Sequence, residues 1–557
     1  MKTKLYSLFI ALSLLVVSAC DLDLQDDPNA VTASTANLNL VLNRIQLDFV
    51  SFFDQTSDNG MRLTRMLNQA DNLYGQAYQP ISFNGIWTTS YANVLNDIKF
   101  LEPLAEQANF QRHLGIAKVI KAYVLMTLVD NFNDVPYSEA LDPNNFNPKY
   151  DSGPAVYAAA LEALTQARGH FTATTVGAPQ DLFYGGVYAN WIKLINTLEL
   201  KYHLNRKLID AAGSAAAINA LIVRNDFIQP GQEFVFRYGT NLTDPDSRHP
   251  SFGGNYTPSG AGDYMSTWYM YALTESKVSG GNPLIDPRAR FYFYRQQLVN
   301  PTNPQFLRCV GEFAPGHYLA GGFPFCLPGT RGYWGRDHLN GEGIPPDGLL
   351  RTTWGVYPAG GRYDNDTGAQ ISPSGAAAGS QGAGIQPIML PAFVDFMLSE
   401  AAQTIPGVTG DAKALLLSGI TKSINYVRAF SLASSTTEAA AINSYLPQAT
   451  FTTQSTNYIN YVTAEFDAAP ANRKMFVIGR EYWIALHGSG NEAYNLYRRT
   501  GQPDGMQPSL LLDAGDFPRS FFYPNNHVAT NTNAVQKASQ RLRVFWDTNP
   551  EGNGWVN

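Results

Sequence analysis

The sequence is poor in cysteine, in charge and in long apolar runs, and each shortage removes a class of function. Only three residues of 557 are cysteine, Cys20, Cys309 and Cys326. A disulfide-dense scaffold is therefore excluded, and two cysteines without nearby histidines make a poor zinc site. Charged residues form 15% of the chain against 45% hydrophobic, which is too little charge for a disordered chain and enough apolar material for a large core. Positive charge is the scarcer sign: the net charge is −7 and the pI about 5.7. No Lys/Arg cluster supplies the basic stripe that a nucleic-acid partner requires. After the N-terminal segment no run approaches the roughly twenty apolar residues of a transmembrane helix. Catalytic signatures are missing too, with no G-x-S-x-G elbow, H-E-x-x-H, Walker loop or G-x-G-x-x-G. The 46 acidic residues allow many carboxylate pairs of the kind glycoside hydrolysis needs, but no motif nominates one.

What is present begins at the N-terminus. Lys2 and Lys4, an apolar core from Leu5 to Val17 and the small residues Ser18-Ala19 have the layout of a secretory signal peptide over residues 1–19. Val17-Ser18-Ala19-Cys20 resembles a bacterial lipobox, which implies that Cys20 becomes the lipidated N-terminus; several acyl chains on one residue anchor firmly where one chain does not. Asp21, Asp23, Asp26 and Asp27 follow without a buried-face pattern, so residues 20–35 read as an extended tether. An acid run in this place resembles the signal that carries some Gram-negative lipoproteins to the cell surface. The expected location is the outer membrane, lipid-anchored and facing outward.

From Ala36 to about Arg65, Leu38, Leu42, Ile45, Phe49 and Phe53 recur at helical spacing and predict an amphipathic helix. A second helix is predicted over Trp87–Leu104. Gln111–Val129 is apolar almost all round apart from Lys118 and Lys121, so its helix should be buried among others. Ser152 is a candidate cap for a helix running to about Ala167. Trp191, Ile195, Leu198 and Tyr202 line one side of another, and further helices are predicted over Pro391–Ala402, Asp411–Leu432 and Arg473–Leu486. Between about residues 225 and 387 the chain turns to Gly/Pro-punctuated loops, with QEFVFRYG as a candidate strand. Long irregular segments in a compact protein are usually functional or disordered, and the aromatic content here favours function. The expected fold class is all-α, with helices over residues 36–557 forming one domain into which this segment is inserted.

Cys309 and Cys326 are expected to form one local disulfide in an exported chain. In YDNDTG, the spacing of Asp364, Asp366 and Gly368 is a fragment of a calcium loop, but the later bidentate glutamate is missing, so a surface turn is the stronger reading and calcium the weaker. No cofactor is otherwise expected.

Five separated stretches, IAKVIKAYVLMTLVDNFNDVPYSEAL, YDSGPAVYAAALEALTQA, DLFYGGVYANWIKLINTLELKYHLNRKLI, LPAFVDFMLSEAA and GREYWIALHGSGNEAYNLYRRTGQP, occur in the order found in the SusD/RagB nutrient-binding lipoproteins. The chain resembles that family over essentially its whole mature length. The resemblance implies a fold of tetratricopeptide-type helix pairs with a ligand face on inserted loops. It also implies a non-enzymatic role as lid to a SusC-like TonB-dependent outer-membrane barrel, with an oligosaccharide or, in some relatives, a peptide as ligand. A surface glycoside hydrolase and a structural adhesin are the rival classes. Sugars bind by stacking on aromatic faces, and the platforms nominated are Tyr74, Tyr78, Trp87, Trp268, Tyr333, Trp334 and Trp354. Asp130, Pro136, Tyr137, Arg498, Arg499 and Gly501 are expected to fix turns and buried hydrogen bonds, with Trp191 and Trp483 in the core.

Overall fold

The computed structural model describes residues 37–256, 262–342, 348–371 and 380–550. The expected signal peptide, the lipidated Cys20 and the acidic tether lie outside the described residues. Helix α1 (Leu38–Leu63) starts at Asn37, whose side chain accepts the Asn39 N–H at 3.1 Å and so satisfies one of the donors a helix start leaves open. Its apolar stripe, Leu42, Ile45, Phe49 and Phe53, is fully buried. Asn84–Trp87 is helical, Thr88–Leu95 is π-helical, and α2 (Asn96–Gln107) completes the run expected from Trp87.

Helices α3 (Gln111–Phe132), α4 (Gly153–Thr172), α5 (Tyr188–Asn205) and α6 (Ala211–Arg224) follow. In α3 every residue from His113 to Phe132 is buried except Lys118 and Lys121. Those two ammonium groups reach Glu102 of α2 at 2.9 and 3.5 Å, which explains how a helix apolar nearly all round tolerates them. Ser152 stands at the cap position of α4 but makes no capping bond; Asp134 Oδ1 accepts the Gly153 N–H instead, at 2.8 Å. Helix α3 packs on α1 and α4, α4 on α5, and α5 on α6.

After the loop-rich segment come α7 (Pro391–Thr404), α8 (Ala412–Ser434), α9 (Thr436–Tyr445), α10 (Gln448–Ala468), α11 (Lys474–Ala485) and α12 (Gly490–Thr500). Helix α7 packs on α8 and α11, α8 on α10, and α12 returns to α1. The segment itself leaves and re-enters the helical body through one antiparallel ladder, in which Phe234–Arg237 pairs with Ile385–Met389. Inside it, Cys309 and Cys326 are disulfide-bonded and pack with Leu307 and Trp334 in a small core of their own. No helix among the described residues is long and apolar enough to cross a membrane.

Two contacts fix the body. The first is a crossing of α1 and α12 so close that a Cβ on Gly490 would stand 1.9 Å from the Ser57 carbonyl oxygen and 2.3 Å from the Met61 nitrogen. Ser57 Oγ bridges the crossing, donating to Gly488 O at 2.9 Å and accepting from Gly490 N at 2.8 Å. The second is a buried ion cluster. Arg499 grips Glu400 through two bonds of 2.6 and 2.8 Å, and Lys207 adds a third at 2.8 Å. Burial alone would raise the Glu400 carboxyl; the two cations outweigh it and hold it down at about 2.

Two predictions follow from these contacts. Gly490→Ala must push backbone against backbone and should cost about 1–3 kcal/mol or more, whereas Gly169→Ala, on an exposed turn of α4 with nothing within 4 Å, should be neutral or stabilise by up to about 1 kcal/mol. Equal thermal midpoints for the two variants would remove the crossing from the account. Glu400→Gln leaves two buried cations without their counter-charge and should cost about 3–5 kcal/mol at neutral pH. Because the folded-state pKa is depressed, the carboxylate's contribution is complete above its ordinary 4.5 and is lost as pH falls through about 2. The gap between wild type and variant, followed by denaturant unfolding, should therefore narrow across that acid range; a gap independent of pH would contradict it.

Candidate functional site

Residues four apart on a helix share a face, and α1 carries Asp54, Asp58 and Arg62 in that register. This face, joined by His249, Asp263, Trp354 and Gln386 from the inserted segment, walls a cavity of about 280 Å3 where the helical body meets the loops. Ser57 and Gly488, the partners that bridge the α1–α12 crossing, also border it. The crossing thus sets the cavity's position.

The electrostatics are lopsided. Arg62 donates to Asp58 at 2.8 Å and to the Asn68 carbonyl at 2.7 Å, and it also bonds Asp263. One guanidinium therefore serves two carboxylates. Among the described residues Asp54 has only an amide partner, Gln386 Nε2 at 2.6 Å. Burial and the Asp58 charge push Asp54 up to about 7, and the Gln386 bond only partly opposes them. Asp58 keeps 39% of its side-chain surface because it faces the cavity, yet burial still raises its carboxyl, against the pull of Arg62. His249 brings no positive charge, since its Nδ1 accepts the Ser251 N–H at 3.1 Å and burial drives its pKa down to about 3. Trp354 is 1% exposed; its ring lies 4.9 Å from that of His487, and its indole N–H has no acceptor among the described residues.

The other nominated rings do not gather here. Tyr74, Tyr78, Tyr333 and Trp334 are at most 3% exposed, and their faces are occupied, which corrects the expectation that they offer stacking platforms. Tyr74 accepts from Arg65 at 3.0 Å and packs on Phe517, and Tyr78 stacks on Phe521 with centroids 5.8 Å apart. Arg295 covers Tyr333 at 4.7 Å, and Trp334 packs around the disulfide. Trp87 and Trp268 are half-buried, the first beside Tyr91 and His527, the second stacked on Tyr271 at 5.6 Å. The calcium reading is corrected as well. Asp364 accepts from Arg295 at 2.7 and 3.1 Å and Asp366 from Arg290 at 2.9 Å, so guanidinium groups hold the oxygens a cation would need. Among the described residues no group of three or more acidic, histidine or cysteine side chains is placed to hold a metal ion.

Sequence reasoning missed Asp54, Asp58, Arg62, His249, Asp263 and Gln386. A usable signal existed in the first three. In a chain so short of charge, FFDQTSDNGMR puts an acid, an acid and a base on one face of a predicted helix, next to the stripe that is buried.

Comparison with known proteins bears on what this arrangement serves. A family model described as starch-binding, associating with the outer membrane (SusD-like), matches residues 28–304, and a second, described as Susd and RagB outer membrane lipoprotein, matches residues 376–549. Among curated proteins no match is found. Among solved structures, a chitin-binding protein is 20% identical with a TM-score of 0.58, over 92% of this chain and 100% of that one. A chitin-binding SusD homolog from Flavobacterium johnsoniae is 16% identical, TM-score 0.59, over 92% and 99%. A SusD/RagB family protein from Bacteroides thetaiotaomicron is 17% identical, TM-score 0.60, over 92% and 100%. The fold is the one these structures share, tetratricopeptide-type helix pairs carrying long loops. With the two family models matched in order over residues 28–304 and 376–549, the chain belongs to the SusD/RagB family of outer-membrane lipoproteins.

Proposed function

We propose that the protein stands on the cell surface, held in the outer membrane by lipid on Cys20, captures a nutrient oligosaccharide and passes it uncleaved to a SusC-like TonB-dependent barrel. The observation that carries the binding half is the cavity between α1 and the inserted loops. It offers hydrogen-bonding carboxylates and an amide beside the apolar walls of Met61 and Pro358, the mixture a sugar ring needs. Family membership supports the transport half, and two of the similar solved structures are named as chitin-binding. Trp354 forms part of the cavity wall but at 1% exposure it offers no open face, like the other buried rings; the part-exposed Trp87 and Trp268, outside the cavity walls, are the rings assigned to a ligand that extends beyond it.

The hydrolase reading gains one observation and loses another. A carboxyl raised to about 7 with other carboxyl groups beside it is how a glycosidase prepares its acid. The second carboxylate must then be free to attack or to activate water, and Arg62 holds both Asp58 and Asp263. A peptide ligand is favoured instead by a separate, mainly apolar cleft of about 440 Å3 lined by Leu390, Tyr426 and Phe430.

Titrating the soluble chain that begins after Cys20 with matched oligosaccharide and peptide panels separates these readings. Binding of an oligosaccharide without product is expected; released product would establish the hydrolase, and binding of peptides alone would replace the glycan. On the same samples, Trp268→Ala should weaken binding by about 1 kcal/mol, roughly fivefold in Kd, with little change in thermal midpoint. Trp334→Ala should instead cost about 3–5 kcal/mol of stability. Undiminished affinity in Trp268→Ala would take that ring out of the site.

A further inference from the structure

We propose that the cavity on α1 takes an ammonium group carried by a sugar of the ligand, so that the protein selects amine-bearing glycans over neutral and acidic ones. This deepens the reading of the protein as a glycan binder and rests on it. The argument is a count of charges in a confined space. Three carboxylates, Asp54, Asp58 and Asp263, face the cavity with one guanidinium. Arg62 is already divided between Asp58 and Asp263, and His249 is neutral with Nδ1 committed to the Ser251 N–H. Asp54 is left with the Gln386 amide, whose far neighbour is the uncharged Tyr238 hydroxyl at 3.4 Å.

A carboxylate withdrawn from water without a counter-charge is costly, and it is relieved either by a proton or by an incoming cation. The first answer is already visible in the upward displacement of Asp54. The second is available to any ligand with an ammonium, which would replace the proton and donate charge-assisted bonds to Asp54 and to the exposed part of Asp58. A neutral sugar gives no such relief, and a uronic or sulfated sugar would add a fourth negative charge. A bare metal ion is not favoured, because no three of these groups are placed to share one among the described residues.

A second, independent feature points to a polar organic ligand. Trp354 lines the same cavity and is all but fully buried, yet its indole N–H has no acceptor among the described residues. An ammonium cannot accept that bond; a hydroxyl or ring oxygen of the same sugar can. The cavity wall therefore combines acceptors for a cation with a buried donor that has no partner among the described residues, a pairing an amino sugar could satisfy and an inorganic cation could not.

The test is calorimetric titration of the soluble chain with three oligomers of equal length: glucosamine, N-acetylglucosamine and glucose. The amine oligomer should bind at least tenfold more tightly than the other two, and the preference should shrink as salt is raised from 50 to 500 mM. Asp54→Asn should lower affinity for the amine oligomer about tenfold, as expected for loss of a charge-assisted bond. The loss for the amine oligomer should exceed by at least about threefold whatever loss the same variant shows for the neutral oligomers, because only the former loses a charge-assisted bond. If the variant's thermal midpoint shows that it does not fold, the wild-type preference and its salt dependence decide alone. Equal affinity for all three oligomers, or preference for the acetylated or neutral one, overturns the proposal while leaving glycan binding intact. Binding of none of them or of any other glycan overturns the glycan reading itself, and this inference with it.

Discussion

The close crossing of α1 and α12 at Gly60 and Gly490 is the constraint on which the rest of the molecule depends. Neither position has room for a side chain, since a Cβ on Gly60 would lie 2.1 Å from Gly490 O and one on Gly490 would meet α1 backbone. The two helices therefore touch main chain to main chain, and Ser57 and the Asn491–Thr56 bond at 2.9 Å satisfy the polar groups trapped between them. This contact joins residues more than four hundred apart in sequence. It also orients α1 about its axis, turning Leu42, Phe49 and Phe53 into the core and leaving Asp54, Asp58 and Arg62 along the seam with the loops.

Scarcity of charge on the whole chain goes with its concentration inside. Glu400 with Arg499 and Lys207 ties α7 and α12 to the turn after α5. Asp130 accepts from Asn495 at 2.7 Å and Trp546 at 2.9 Å, drawing α3, α12 and the C-terminal segment together. Such clusters are weak as sources of net stability and severe when half-removed. Where they are balanced they hold the body in one arrangement. The cavity differs because its carboxylates outnumber its guanidinium, and the proposed ligand site rests on that excess of negative groups.

The helical body was legible because its signal is apolar periodicity, which burial enforces. The predicted helix at Gln111 and its two lysines reappear as α3, and the Leu38–Phe53 stripe as the buried side of α1. Asp130, Arg498 and Arg499 are buried and hydrogen-bonded as their motif implied. Helix α10 was missed because only Phe451, Tyr458, Val462 and Phe466 are buried in a stretch otherwise crowded with Thr, Gln and Asn. The site was less legible. Choosing platforms by aromatic residues in loops selects Tyr74, Tyr78, Tyr333 and Trp334, because an irregular backbone is equated with exposure, whereas the first three turn into the main hydrophobic core and Trp334 into the small core around the disulfide. Sequence gives no view of which loop side chains turn inward, and the polar partners from the insertion, Asp263 and Gln386, come to α1 only through tertiary contact.

The central claim is that ligand is held at the seam between α1 and the inserted segment. The most direct measurement is a crystal structure of the soluble chain with an oligosaccharide bound. The account predicts sugar density in the cavity, within hydrogen-bond reach of Asp54 and the Trp354 indole. Density confined to another surface, with this cavity holding only solvent, would contradict it.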